Sequence, residues 1–357
     1  MRIVIDVTPL SHPRTGIGNY MLGMLGGLAE AAGGRHELVH FAPTGPRNVA
    51  RLRAALDGIP GERRLVVVPP PSNVWRKLWS RTQRFPVERL AGALDVFHFS
   101  DWMYPPQRSG LRTTTIHDLL PLHHPEWVGP RTRALHVPKY HHAAQTCDVI
   151  FANSKFTAED VATGLGFPRE RLVVAYPGLH PRFTAEGPAA DLGRPYLFTA
   201  ATAEPRKNLD RLLEAFALLR ANHPELQLAV AGPGPALRGE GVRALGYVRD
   251  DELPGLYRGA KAFVFPSLFE GFGIPIVEAM ASGTPAVVSS HPSMDEASGD
   301  SAVRVDPRNP EAIAAGIERA LAQQEALVPR GLEHVAQFTW LACGEAHLRA
   351  FANRAAH

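Results

Sequence analysis

Apolar residues fall along this chain in short runs rich in β-branched and aromatic side chains, and longer stretches of helical spacing separate them. The runs at 3–7, 65–68, 96–99, 113–116 and 149–152 occupy the first half, and those at 196–200, 227–231, 262–265 and 286–289 the second. Strand–helix alternation of this kind predicts parallel sheets covered on both faces by helices. The pattern runs twice. Between its two passes lies a seam of prolines and glycines, Tyr176-Pro-Gly-Leu-His-Pro-Arg-Phe183 through Gly193-Arg-Pro195. The reading is therefore α/β, with two doubly wound, Rossmann-like domains at 1–180 and 190–335. A tail at 336–357 carries amphipathic helical spacing from Phe338 to Phe351.

Bulk properties narrow the class. A chain of 357 residues accommodates two domains, and 45% apolar with 20% charged residues is the balance of a globular protein in water. The net charge of +3 suits an anionic small molecule or an anionic membrane surface, and carries no nucleic-acid signature. Cys147 and Cys343 lie far apart, form no metal-ligand pair, and read as reduced thiols of a cytosolic protein. Met1-Arg-Ile-Val-Ile-Asp6 enters a strand directly, leaving no room for a signal peptide, and no apolar run is long enough to span a bilayer. The expectation is a cytoplasmic protein, at most peripheral on the inner face of the cell membrane.

The most informative segment is Phe263-Val-Phe-Pro-Ser-Leu-Phe-Glu-Gly-Phe-Gly-Ile-Pro-Ile-Val-Glu-Ala-Met-Ala-Ser-Gly-Thr-Pro285. On one continuous helix, Glu270 and Glu278 would stand roughly 80° apart. Gly271, Gly273 and Pro275 instead start the helix after Glu270, with Pro275 near its first position. Glu270 then sits on a loop and Glu278 in an early helical turn, with backbone N–H groups between them. Such a pocket suits a ligand with hydroxyls at both ends and negative charge in the middle, as in a nucleotide sugar. The plain structural alternative is a strand–turn–helix with Glu270 solvated and Glu278 facing the helix dipole.

Other motifs sit at strand ends. Ala203-Glu-Pro-Arg-Lys-Asn-Leu209 places Arg206 and Lys207 where two cations can clamp a diphosphate. The chain has no Asp-x-Asp triplet to hold a divalent metal, so no metal and no other cofactor is expected, and these cations take over the electrostatic work. Thr15-Gly-Ile-Gly-Asn-Tyr20 opens an apolar helix, and Gly16 and Gly18 let backbone approach a ligand. It fails as a dinucleotide fingerprint because Met21 stands where the third glycine belongs. His117 at a strand end can meet a sugar hydroxyl or an attacking oxygen, or be a satisfied structural histidine; Asp118 either holds its ring or caps the loop. His123 and His124 lack a companion ligand at metal spacing. Asp250-Asp251-Glu252 reads as the cap and first turn of a helix, and Ser154 as another cap. In the segment 73–85, Trp75, Leu78 and Trp79 share a helical face flanked by Arg76, Lys77, Arg81 and Arg84. That is either a helix lying on an anionic leaflet or a core helix with a solvated basic rim.

Taken together, the segment 263–285 resembles the Glu-x7-Glu signature of retaining glycosyltransferases of family four. The resemblance covers nearly the whole chain and is most specific from Gly246 to Pro285. It implies the GT-B fold, in which two Rossmann-like domains face each other across a cleft, the first on the acceptor side and the second binding the nucleotide sugar. It implies that the 336–357 helix packs back on the first domain. By the same resemblance Glu270 meets the transferred sugar and Glu278 the ribose. Gly271, Phe272, Gly273 and Ile274 supply amides to sugar and diphosphate. Tyr247 and Val248 meet the nucleobase through their backbone, the loop of Gly16 and Gly18 approaches the diphosphate and acceptor, and His117, beside Asp118, lies against the transferred sugar. The match departs from the family at Ala201-Thr202, where many members carry a Gly-Arg pair, which bears on the role of Arg206. Retention is implied by resemblance alone. The expected partners are a nucleotide diphosphate sugar, with a GDP-sugar of mannose or rhamnose preferred, and a glycan or lipid-linked glycan of surface polysaccharide synthesis. A nucleotide-sugar epimerase of the same fold and a catalytically silent binding subunit are the alternatives; intact Lys207, Glu270 and Glu278 argue against the second.

Overall fold

The structure, a computed structural model, describes all residues except 14, 62, 63, 83, 101, 102, 233–238, 356 and 357. Pro233 and Gly234, in the turn after the strand at 227–231, thus lie outside the described residues. The chain divides into two compact units, Met1–Gly178 with Phe338–His357, and Leu179–Gln337.

The first unit is built on seven parallel strands: β1 (Arg2–Asp6), β2 (Glu37–Pro43), β3 (Arg64–Val68), β4 (Val96–Phe99), β5 (Leu111–Ile116), β6 (Val149–Ala152) and β7 (Leu172–Val174), in the order β3-β2-β1-β4-β5-β6-β7. Successive side chains of β1 point to opposite faces, yet Ile3, Val4 and Ile5 are all fully buried. Ile3 and Ile5 join Met21, Leu25, Leu28 and Phe351 on one face, and Val4 joins Phe41, Trp79, Phe97 and Ile150 on the other. Both faces are therefore covered.

On the first of these faces the helix Gly16–Ala32 lies against the C-terminal helix Trp340–Ala355. The contact is backbone to backbone. A Cβ added at Gly344 would lie 2.2 Å from Gly27 backbone atoms, so only glycine permits this approach.

The second unit carries six parallel strands: β8 (Tyr196–Ala200), β9 (Gln227–Ala231), β10 (Val242–Gly246), β11 (Ala262–Phe265), β12 (Ala286–Ser289) and β13 (Val303–Val305), in the order β10-β9-β8-β11-β12-β13. Leu197, Val264 and Val287 meet Leu212, Phe216, Ile313 and Ile317 on one face. Near Phe198 and Phe263, the buried ring of Tyr257 packs edge to face.

Several elements depart from the sequence reading. Strands β2, β7, β10 and β13 were not anticipated. The first strand ends at Asp6, because Val7 already has a non-strand backbone (φ −104°, ψ 19°). Asp250, Asp251 and Glu252 precede the helix Leu253–Gly259 rather than filling its first turn, and Arg249 pairs with Asp251 and Glu252, each at 3.1 Å.

Of the two readings open for the segment 73–85, the structure takes the core helix with a solvated basic rim. Trp75 and Trp79 lie in the core beneath β2 and β4, their rings 4.8 Å apart, and Trp79 Nε1 donates to the Phe85 carbonyl at 3.1 Å. The shared aromatic face belongs to the protein interior. Among the described residues, this helix, Ser72–Arg81, and its following turn expose Asn73, Val74, Lys77, Ser80, Arg81, Arg84 and Phe85.

Candidate active site

In an open parallel sheet the natural crevice lies beyond the carboxyl ends of the strands, at the point where strand order reverses. In the second unit that point falls between β8 and β11, since β9 and β10 extend to one side and β12 and β13 to the other. The residues that follow these two strands meet there. After β8 the chain makes a short 3-10 turn, Pro205–Lys207. Asn208 then takes a left-handed conformation (φ 58°), tolerable for asparagine, and its side-chain amide donates to the carbonyls of Pro266 (3.0 Å) and Pro307 (2.6 Å). The Leu268 N–H donates to the Arg206 carbonyl at 2.7 Å. These bonds strap the cationic turn to the loop after β11.

That strap brings Arg206, Lys207 and Glu270 into contact. Glu270 accepts from Lys207 Nζ at 2.6 Å on one oxygen and from Arg206 Nη1 at 2.5 Å on the other. Its own N–H donates to Ser293 Oγ (3.1 Å), which ties in the turn after β12. Arg206 is shared: its Nε also donates to Glu204 at 2.8 Å. Lys207 stands 4.8 Å from the Phe265 ring centroid, a cation–π contact. Burial pushes the Glu270 carboxyl up, but Lys207 and then Arg206 outweigh it and hold the group below the ordinary carboxylate range. Glu204, Arg206, Lys207 and Glu270 thus form a charge-balanced cluster, with Arg206 between two carboxylates and Lys207 on one.

Glu278 stands apart from this cluster. It lies on the helix Ile274–Ala281, which starts at Gly273 (φ 103°) with Pro275 in its first turn. Tyr257 Oη donates to Glu278 Oε2 at 3.0 Å. Burial raises Glu278 to about 7, against the lowering pull of that hydrogen bond. Asp250, beside the β10 corner, raises it further, and Arg182, 3.9 Å from Asp250, opposes. Gly271, Phe272 and Gly273 are buried, and Ile274 is half-buried. At the corner, Tyr247 projects into solvent with 77% exposure while Val248 is half-buried.

The switch point of the first unit lies between β1 and β4. Sequence reasoning missed its centre, Asp6, which accepts from the Thr8 hydroxyl and N–H on one oxygen and from the Ser100 hydroxyl and N–H on the other. Lys139, on the helix Pro130–Thr146, is also buried; desolvation brings it down to about 7, with Cys147 and Asp6 acting against it. The available clue for Asp6 was an acid closing an otherwise apolar strand. His117, two elements along, packs edge to face on Tyr20 (4.6 Å, 81°), and burial lowers it to about 4, so it is a neutral imidazole at physiological pH. Asp118 accepts from the Leu120 N–H at 3.0 Å and so caps the loop. Thr15 caps the helix that begins at Gly16, where an added Cβ would meet nothing within 4 Å. Gly18 borders a cavity of about 340 Å³ with Leu10, His12 and Arg51. His123 pairs with Asp160 at 2.6 Å and His124 with Glu126 at 3.1 Å.

Two Rossmann-like units, the second with cations and a carboxylate meeting at its switch point, define the GT-B class of glycosyltransferases. Residues 14–183 match the model of Glycosyltransferase Family 4, and residues 183–330 that of Glycosyl transferases group 1. The chain is 30% identical to the O-antigen chain mannosyltransferase B of Escherichia coli, across 98% of this chain and 99% of that protein. It is 29% identical over 65% of its length to the serotype-specific mannosyltransferase WbdA of Escherichia coli, covering 32% of that longer protein. Among solved structures, a sucrose-phosphate synthase from Thermosynechococcus elongatus aligns over 99% of both chains with a TM-score of 0.71 at 18% identity. WaaG, a glycosyltransferase involved in lipopolysaccharide biosynthesis, aligns over 97% of this chain and 99% of its own with a TM-score of 0.69 at 15% identity. The chain belongs to the family 4 glycosyltransferases, and is an enzyme of that class.

Proposed function

We propose that this enzyme transfers a hexose, mannose or rhamnose, from a GDP-sugar to a hydroxyl of a glycan or lipid-linked glycan in cell-surface polysaccharide synthesis, with retention at the anomeric carbon. The observation that carries the reading is Glu270 held between Lys207 and Arg206 at the switch point of the second sheet. Likeness over the full length to an O-antigen mannosyltransferase supports the sugar and the pathway class.

In this reading the bond from the anomeric carbon to the diphosphate oxygen breaks with its electron pair leaving on the diphosphate. The acceptor oxygen bonds to the same face of that carbon, and its proton passes to the departing phosphate oxygen. Lys207 and Arg206 neutralise the charge that develops on the leaving group, which metal-bound enzymes assign to a divalent cation. Glu270 and the amides of Gly271, Phe272, Gly273 and Ile274 hold the sugar, Glu278 the ribose, and the backbone of Tyr247 and Val248 the base. On the first unit, neutral His117 offers a hydrogen bond to a sugar hydroxyl, and the loop of Gly16 and Gly18 takes phosphate or acceptor. The lipid-linked form of the acceptor fits the exposed rim of Val74, Lys77, Arg81, Arg84 and Phe85, a basic and apolar surface suited to an anionic leaflet. No helix among the described residues is long and apolar enough to cross a membrane.

The test is incubation of the purified enzyme with GDP-mannose and a lipid-linked glycan, without and with added magnesium, followed by NMR of the product's anomeric centre. An α-linked product from the α-linked donor, formed without metal, supports the reading. Inversion, dependence on metal, or turnover only with another nucleotide sugar would each overturn the corresponding part of it.

A further inference from the structure

We propose that Tyr257 is a positioning residue of the nucleotide site, whose buried hydroxyl fixes the carboxyl group of Glu278 so that its remaining oxygen lone pairs serve a vicinal diol. This rests on the reading that Glu278 receives the ribose, and adds to it the residue that orients and charges the carboxyl group.

The geometry is specific. Tyr257 is fully buried, and its ring is boxed edge to face by Phe183 (5.9 Å, 71°), Phe198 (5.1 Å, 87°) and Phe263 (5.3 Å, 69°). Its carbonyl accepts from Thr284 Oγ1 at 2.6 Å, which pins the backbone beneath the ring. A phenol so enclosed cannot swing away, and the bond it makes is the one to Glu278 Oε2 at 3.0 Å. A buried hydroxyl left without a partner is costly, so the pair is held from both ends. One oxygen of Glu278 thereby has a donor built into the fold, while the other remains for hydroxyls from outside.

Charge follows from the same contact. An ionised carboxylate accepts on both oxygens and suits two adjacent hydroxyls; a protonated one spends an oxygen as a donor. Desolvation opposes ionisation of Glu278, and the hydrogen bond from Tyr257 does most to favour it. The other charged groups acting on Glu278 are Arg182, which favours the anion, and Asp250, which opposes it. Nucleotide binding is therefore linked to loss of the Glu278 proton. With that group at about 7, affinity should rise about tenfold from pH 6 to pH 8. Removing the phenol hydroxyl removes a stabiliser of the anion, so the midpoint moves to higher pH.

The experiment is calorimetric titration of GDP, UDP, ADP and dTDP into wild-type, Tyr257→Phe and Glu278→Gln enzyme across that pH range. The best-bound ribonucleotide is then compared with its 2′-deoxy form. The expected result is a midpoint displaced upward in Tyr257→Phe, with affinity recovering at high pH, and weak, pH-independent binding in Glu278→Gln. Ribose should be preferred over 2′-deoxyribose in the wild type, and less so in both variants. An equal loss at every pH in Tyr257→Phe would show a merely structural role and overturn the inference. So would an unchanged pH dependence in Glu278→Gln, a result that stands even if Tyr257→Phe fails to fold. Absence of binding by all four nucleotides to the wild type would overturn the donor-site reading itself, and the inference with it.

Discussion

Replacing Lys207 by methionine removes one charge while keeping a chain of similar length against the Phe265 ring, and the structure sets how the loss divides. Lys207 Nζ lies 2.6 Å from Glu270. At an effective dielectric near 20, a pair at that distance attracts by about 6 kcal/mol, most of it offset by desolvation of two groups that are largely buried. Within the cluster Lys207 is thus already neutralised by Glu270. A ground-state diphosphate entering this balanced cluster gains little from it. As the bond to the sugar breaks, the diphosphate takes on further charge, and only then does the cation gain strength. The substitution should therefore act on kcat, by the 10²–10³ typical of a lost electrostatic donor, about 2.7–4 kcal/mol, with KM for the donor changing less than about tenfold.

A pH signature accompanies the rate. Glu270 is held low because Lys207 and Arg206 together outweigh burial, and Lys207 is the larger of the two. With Lys207 gone, burial counts for more and the carboxyl group titrates higher. In the wild type the stability this depressed carboxylate contributes is present above the ordinary carboxylate range and is lost as pH falls through its lowered value. In Lys207→Met that contribution should shrink, because the folded-state value moves back towards the unfolded one, while the acid limb of the rate should begin at higher pH. The assay is initial-rate release of GDP from GDP-mannose with saturating acceptor, alongside calorimetric affinity for GDP. A kcat within tenfold of wild type, or a loss carried wholly by affinity, would refute the argument that the cation acts on the leaving group.

Three further outcomes follow. Burial depresses His117 to about 4, so it destabilises the fold as pH falls from its ordinary value of 6.5 towards 4, where only the unfolded chain takes the proton; His117→Gln should lose less thermal stability than wild type between neutral pH and about pH 5, and an identical loss would refute that. Gly344→Val must push apart two backbones whose Cβ clearance is 2.2 Å, and should cost upwards of about 2 kcal/mol and expose the helix Trp340–Ala355 to limited proteolysis, whereas unchanged melting would contradict the packing. The triple variant Lys77→Gln, Arg81→Gln, Arg84→Gln should lose sedimentation with phosphatidylglycerol vesicles, at about 1 kcal/mol per cation, while keeping the wild-type affinity for GDP; vesicle binding equal to wild type would remove the membrane role of this rim.

The same sequence signals that reveal most of the strands conceal β2, the edge strands β7, β10 and β13, and the contacts. β1, β6 and β11 are legible because strands covered on both faces carry near-continuous apolar runs, as in Ile3–Ile5 of β1. β10 sits at the sheet edge with Arg243 and Ala244 exposed, so its segment carries no such run, and β7 and β13 are three residues each. Arg206, Lys207 and Glu270 could be picked out because each lies in the segment after a legible strand, and strand ends are where an open sheet binds ligands. Asp6 and Ser100 could not: they stand 94 positions apart and acquire meaning only when β1 and β4 pair. Tyr257 was hidden for a related reason, since a tyrosine in an apolar helix reads as core until Glu278 is found against its hydroxyl. Trp75 and Trp79 show the limit from the other side. Helical spacing identifies which residues share a face, but a membrane and a protein interior ask for the same face, and only the presence of β2 and β4 beneath it decides between them. What the fold leaves exposed on that helix, a basic rim with Val74 and Phe85, is therefore a separate surface, and its partner has to be argued from charge and accessibility rather than from the tryptophans that first drew attention to it.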